Sequence, residues 1–197
     1  MNLNTPTTIR RSLPTLLLAL GLLAGCTTWA NTVPEVPSPT LQSIPSLEVP
    51  RYMGTWHEIA KYPNRFQKHC ASHTQARYRL LPDGGVEVIN RCRTGDGDLS
   101  EALGMARQVG AADSARLKVR FAPQWLSFLP WVWGDYWVID LDPDYQLVAI
   151  SEPTREYLWV LSRTPTIDEQ AYRQLLERLE AQGFELERLE RTVQTDE

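Results

Sequence analysis

Eight short runs rich in β-branched and aromatic residues, recurring about every 8 to 15 residues between turn signals, constrain this chain more than any other feature. They predict strands near 53–61, 73–81, 86–92, 99–108, 115–121, 135–141, 146–151 and 157–162. Pro82-Asp83-Gly84-Gly85 marks a hairpin between the second and third, and Asp142-Pro143-Asp144 another between the sixth and seventh. Eight up-and-down strands suffice to close a barrel, which removes the sheet edges and encloses room for one small ligand. The period then changes. Ala171, Leu175, Leu176 and Leu179 recur at helical spacing behind Thr166-x-x-Glu169, which has the form of a capping box, and Gly183 stops the helix. Phe184, Leu186 and Leu189 then form a short final strand or strap. The expected fold class is all-β, an eight-stranded antiparallel up-and-down barrel with one C-terminal amphipathic helix and a short final strand.

Ahead of the strands stand Arg10 and Arg11, an apolar stretch from Leu16 to Leu23, and Leu23-Ala24-Gly25-Cys26. The stretch contains too few apolar residues to span a bilayer and reads as an export signal. Leu-Ala-Gly-Cys resembles the bacterial lipoprotein lipobox, which implies cleavage after residue 25 and acylation of Cys26. By resemblance to enterobacterial sorting rules, Thr27 in place of an aspartate implies the outer membrane. The expected organisation is a signal peptide over 1–25, an acylated N-terminus and Pro-rich spacer over 26–50, and one folded domain over 51–193. Cleavage removes two arginines and no acids, so the net charge moves from −4 to −6. An acidic domain without a basic stripe excludes nucleic acid as the expected partner.

With Cys26 taken for lipid, Cys70 and Cys92 are the cysteines left in an oxidising compartment, and they are expected to form a disulfide. The rival, a metal held by His69, Cys70 and His73, matches no common zinc spacing and offers three ligands at most. No metal and no cofactor is expected.

Gly54-Thr55-Trp56, within Tyr52-Met53-Gly54-Thr55-Trp56-His57-Glu58-Ile59-Ala60, resembles the lipocalin G-x-W signature. Asp142-Pro143-Asp144-Tyr145 stands where that family has its second block, with Leu141 and Pro143 in place of a Thr and a Tyr. Tyr157-Leu158-Trp159-Val160-Leu161-Ser162-Arg163 stands where it has its third. The likeness covers roughly residues 51–190 and is nearest to bacterial outer-membrane lipocalins and the apolipoprotein D-like group. It implies that Gly54, Trp56 and Arg163 form the barrel base, the arginine stacking on the indole.

Strand alternation turns Arg77, Arg79, Lys118 and Arg120 outward and Ala76, Tyr78, Leu117, Val119 and Phe121 inward; Tyr157, Trp159 and Leu161 share the face of Arg163. Gly104 and Ala106 leave room. The expected lining is apolar and aromatic-edged and suits a long acyl chain. Trp125, Phe128, Trp131 and Trp133 lie in an apolar mouth loop, 125–133, that needs a partner: a lipid surface, the cavity mouth, a second copy or the barrel itself. Catalysis lacks support, because no nucleophile elbow, phosphate loop or paired-carboxylate motif occurs. Glu58 is the one candidate for a partly buried acid. The reading is a monomeric or weakly dimeric outer-membrane lipoprotein that binds a fatty acid or lysophospholipid in envelope maintenance. The alternatives are an enzyme on an apolar substrate and a scaffold using the aromatic loop.

Overall fold

The computed structural model describes residues 40–194, so the signal peptide, Cys26 and the first part of the spacer lie outside the described residues. A four-residue helix α1 (Val49–Tyr52) leads into β1 (Gly54–Lys61), β2 (Cys70–Leu80), β3 (Val86–Thr94), β4 (Leu99–Gln108), β5 (Arg116–Arg120), β6 (Gly134–Leu141), β7 (Leu147–Ser151) and β8 (Leu158–Ser162). Each strand pairs antiparallel with the next, and β1 pairs with both β2 and β8, which closes the barrel. Helix α2 (Glu169–Ala181) and a short strand β9 (Glu190–Arg191) follow.

Period-two alternation divides the apolar residues between two cores. Trp56, Tyr78, Val88, Leu117, Val138, Val148 and Leu161 fill the interior. Ile59, Ile139, Leu147, Ala149, Leu158 and Val160 face outward, where Tyr172, Leu175 and Leu179 of α2 cover them. A bulge in β1 between Glu58 and Ala60 puts both Ile59 and Ala60 in the outer core. The N-cap of α2 is Asp168, whose carboxylate accepts from the Ala171 N–H at 2.7 Å; the helix starts two residues later than a Thr166 cap would place it. The strap after Gly183 is a single turn over Leu186–Arg188 with Phe184 in the outer core, and the final strand falls at Glu190–Arg191.

Two further boundaries differ from the sequence reading. The Pro-rich segment was expected to be spacer through Pro50, yet Leu41, Leu47 and Val49 are buried, and the Ile44 and Leu47 N–H groups donate to Val138 O and Asp113 O. The apolar residues between the prolines bury against both cores. Strand β2 begins at Cys70 rather than near 73, through two register shifts that leave His73 at φ 52°. Cys70 and Cys92 form the expected disulfide across β2 and β3, with Cα atoms 5.6 Å apart. That bond consumes the sulfur that a metal site with His69 and His73 would need. Both cores, the barrel closure and the disulfide lie within residues 40–194, so this span holds everything needed to fold alone.

The closed end is built on one guanidinium. Arg163 sits 3.9 Å from the centre of the fully buried Trp56 ring. Its N–H groups donate to Tyr145 O (3.2 Å), Thr55 O (3.1 Å) and Arg51 O (2.7 Å). Gly54 is required here twice over: its φ is 99°, and a Cβ would stand 3.2 Å from Arg163 Nη1. Asp142 shapes the adjoining turn by accepting from the N–H groups of Asp144, Gln146 and Leu147, and Tyr145 presents its carbonyl from that turn. Arg163→Met keeps apolar bulk and removes the three-way fork. It is expected to lower unfolding free energy by about 3 kcal/mol in a urea titration. Reducing the disulfide, whose cysteines are 22 residues apart, is separately expected to cost about 3 kcal/mol.

Candidate functional site

The barrel floor is aromatic and neutral. Tyr136 shares hydrogen bonds with the hydroxyls of Tyr52 (2.7 Å) and Tyr78 (3.0 Å), and the Tyr52 ring packs against both Tyr78 and Trp56. Burial pushes all three phenols up, Tyr78 to about 12, so none ionises under ordinary conditions. Among the residues predicted to line the interior, Ala76, Tyr78, Leu117 and Leu161 lie in this core, and Val119 and Trp159 are partly buried against it.

Toward the open end the wall turns polar on one side. Glu58 is 2% exposed and pairs with Leu161 of β8, on the inward face. Its carboxylate accepts from Gln67 Nε2 (2.5 Å) and Thr192 Oγ1 (2.6 Å), with Lys61 Nζ at 3.9 Å. Gln67 Oε1 accepts in turn from the Trp159 indole N–H (2.8 Å) and from Asn64 Nδ2 (2.7 Å). Asn64 Oδ1 accepts from the Phe66 and Gln67 N–H groups, which folds the β1–β2 loop over Trp159. The C-terminal segment enters where β1 and β2 splay: Thr192 N–H donates to Ile59 O, and Gln194 Nε2 bridges Glu58 O (2.9 Å) and Thr74 O (2.7 Å). Burial raises the Glu58 carboxyl above the usual glutamate range, against the hydrogen bonds from Thr192 and Gln67 and the charge of Lys61.

Aromatic rings border the mouth. Tyr157 stacks on Trp159 with centroids 5.7 Å apart, and the exposed Phe66 packs on Tyr157 at 5.6 Å. Tyr157 therefore stands at the rim, ahead of the first residue of β8. Phe121 was expected among the inward-facing lining; β5 ends at Arg120, one residue before it, and Phe121 is 45% exposed. Its ring covers Gly104 on the face shared with Val88, where a Cβ would stand 2.7 Å from it and 2.8 Å from Arg120 O. The room at Gly104 is thus filled by Phe121. Arg120 was expected to point outward; it lies on the outer side but is buried there, with Trp133 over its guanidinium. The mouth loop forms short helical turns at Gln124–Leu126 and Pro130–Val132. Trp133 alone of the four aromatics is half-buried, its indole N–H donating to Ser127 O, while Trp125, Phe128 and Trp131 are between 72% and 77% exposed.

The comparisons agree with this geometry. A family model described as a lipocalin-like domain matches residues 47–194. Temperature-induced lipocalin-1 of Arabidopsis thaliana is 42% identical over 158 residues, 79% of this chain and 84% of that protein. Outer membrane lipoprotein Blc of Escherichia coli K12 is 37% identical over 169 residues, 83% of this chain and 91% of that protein. The chain belongs to the lipocalin family. Mouse apolipoprotein D is also similar, at 30% identity over 193 residues, covering 92% and 96% of the two chains. In fold, the lipocalin superposes on the solved structure of insecticyanin from the tobacco hornworm Manduca sexta with a TM-score of 0.63. That match covers 80% and 86% of the two chains at 15% identity.

Sequence reasoning missed Asn64, Gln67, Lys61, Thr192 and Gln194, because their roles depend on a loop and a C-terminal strand meeting β1 far along the chain. Gly104→Ala is expected to cost about 1–3 kcal/mol by urea titration, because its Cβ meets backbone as well as a ring. For Glu58 the folded carboxyl holds its proton to higher pH than the unfolded one. The lipocalin therefore loses stability relative to Glu58→Gln as pH rises from the ordinary glutamate value through the raised one, and the difference is constant above it. Urea midpoints of both proteins across pH 4 to 8, a range chosen to bracket roughly the raised carboxyl, check this.

Proposed function

We propose that this lipocalin is an outer-membrane-anchored lipoprotein that binds a fatty acid or lysophospholipid in its barrel without chemically changing it, and so stores or moves lipid in envelope maintenance. The observation that carries the reading is the mouth: Phe66, Tyr157 and Trp159 form a continuous aromatic ladder leading from solvent toward the interior core. An acyl chain would lie against Trp159, Val119 and Phe121, above the floor of Tyr52, Tyr78 and Tyr136. Binding would come mainly from apolar burial, about 25 cal/mol per Å². Ala76, Tyr78, Leu117 and Leu161 would form the deep wall. Lys61, beside Glu58 and next to the mouth, is the cation best placed to orient an acidic head.

Acylation of Cys26 supplies the anchor in this reading, and the relatives named outer membrane lipoprotein Blc support the location. A carrier rather than an enzyme is favoured by the surroundings of Glu58. Its oxygens are occupied by the Gln67 amide and the Thr192 hydroxyl with Lys61 Nζ at 3.9 Å, and at 2% exposure the carboxylate is held as part of the polar wall rather than left open to a substrate.

The test is native mass spectrometry of residues 40–197 purified without detergent, followed by fatty-acid titration. A stoichiometric fatty acid or lysophospholipid is expected to travel with the protein. Trp159→Ala is expected to weaken its binding about tenfold, the equivalent of about 1.4 kcal/mol of lost wall. An empty barrel that also rejects added lipids would overturn the reading.

A further inference from the structure

On the outer side of β4 and β5, beneath the aromatic loop, lies a depression of about 500 Å³. Its walls are the Asp83–Gly85 turn, Arg107 of β4, Arg120 of β5, and Gln124, Ser127 and Trp133 of the aromatic loop. Arg107 and Arg120 both approach one indole, at 4.3 and 5.3 Å from the centre of Trp133.

Arg120 is 7% exposed, donates through Nη1 to Ala122 O, and has a buried Nε with no acceptor. Neighbouring outward cations are matched differently: Arg79 pairs with Glu87, Arg91 with Glu101 and Lys118 with Asp135. Among the described residues neither Arg107 nor Arg120 has a carboxylate partner. Asp83 stands at the edge of the depression, where its Oδ1 accepts from the Gly85 N–H. A buried, incompletely bonded guanidinium beside a second one is costly unless an anion completes it.

The loop that walls the depression points to where that anion resides. Residues 121–134 contain no charged side chain; Trp125 and Trp131 stand in the two short turns and Phe128 between them, all three exposed. Tryptophan and phenylalanine favour the headgroup boundary of a bilayer, and phosphate is the anion held there beside them.

We propose that this depression binds the phosphate of an anionic membrane phospholipid, held by Arg107 and Arg120, while Trp125, Phe128 and Trp131 enter the bilayer surface. The site lies outside the barrel and does not depend on what the barrel carries. A net charge of −4 means that general attraction does not draw the chain to an anionic surface, so recognition is local.

The experiment uses residues 40–197, which lack Cys26 and so any acyl anchor. Co-sedimentation is measured with vesicles of phosphatidylcholine alone and of phosphatidylcholine with phosphatidylglycerol in equal parts. Inorganic phosphate is titrated by calorimetry in parallel. The protein is expected to sediment with the mixed vesicles and not with phosphatidylcholine alone. Arg107→Gln, at an exposed position, is expected to weaken partitioning about fivefold with its urea midpoint unchanged. Replacing Trp125, Phe128 and Trp131 together by serine is expected to abolish it. The proposal is overturned if Arg107→Gln binds mixed vesicles as well as the parent protein, or if the serine variant does. It is also overturned if free phosphate saturates the site while vesicles do not bind, which would make it a site for a soluble anion, or if neither probe binds.

Discussion

The Arg163 guanidinium is the contact on which the rest of this barrel depends. Two stretches far apart in sequence converge on it: the turn from α1 into β1, through Arg51 and Thr55, and the β6–β7 turn, through Tyr145. Each presents a carbonyl, and the indole of Trp56 presents a face. Planar, five-donor geometry makes arginine suited to this in a way lysine is not. Once the closed end is pinned, β1 is held at the register that points Trp56 and Glu58 inward. The tyrosine floor and the polar wall above it follow from that register.

The two ends of the barrel are governed by different physics. The floor is packed aromatic surface with every phenol hydrogen-bonded, and burial keeps those phenols neutral. The open end is a chain of single hydrogen bonds from Asn64 through Gln67 to Trp159 and Glu58, reinforced by Thr192 and Gln194 from the C-terminus. The buried Glu58 carboxylate is held mainly by neutral donors, whereas the closed end is held by a stacked guanidinium. In the proposed function a ligand enters at the open end, where the β1–β2 loop and the final strand meet.

Much of the fold was legible because it repeats locally. Alternation of Ala76, Arg77, Tyr78 and Arg79, the Pro82–Gly85 turn and the helical spacing of Leu175 and Leu179 each carry their own signal within a few residues. The Trp56–Arg163 contact was legible through resemblance, and the lone pair of cysteines through compartment. What was not legible depends on contacts between distant segments. Nothing near Gln67 announces that its amide joins Glu58 to Trp159, and nothing near Gly104 announces the Phe121 ring over it. Strand parity points Arg120 outward, and parity cannot show that Trp133 folds back over it. The segment at 41–50 read as spacer because its prolines outweighed Leu41, Leu47 and Val49, which the two cores bury.

The central claim, that an apolar ligand enters past the rim aromatics, is tested most directly by amide hydrogen exchange of residues 40–197 with and without a long-chain fatty acid. Ligand is predicted to slow exchange in the 62–69 loop, at Tyr157–Trp159 and in the 190–194 segment, and to leave α2 unchanged. Equal exchange at the rim with and without ligand, under conditions where the fatty acid is bound, would contradict it.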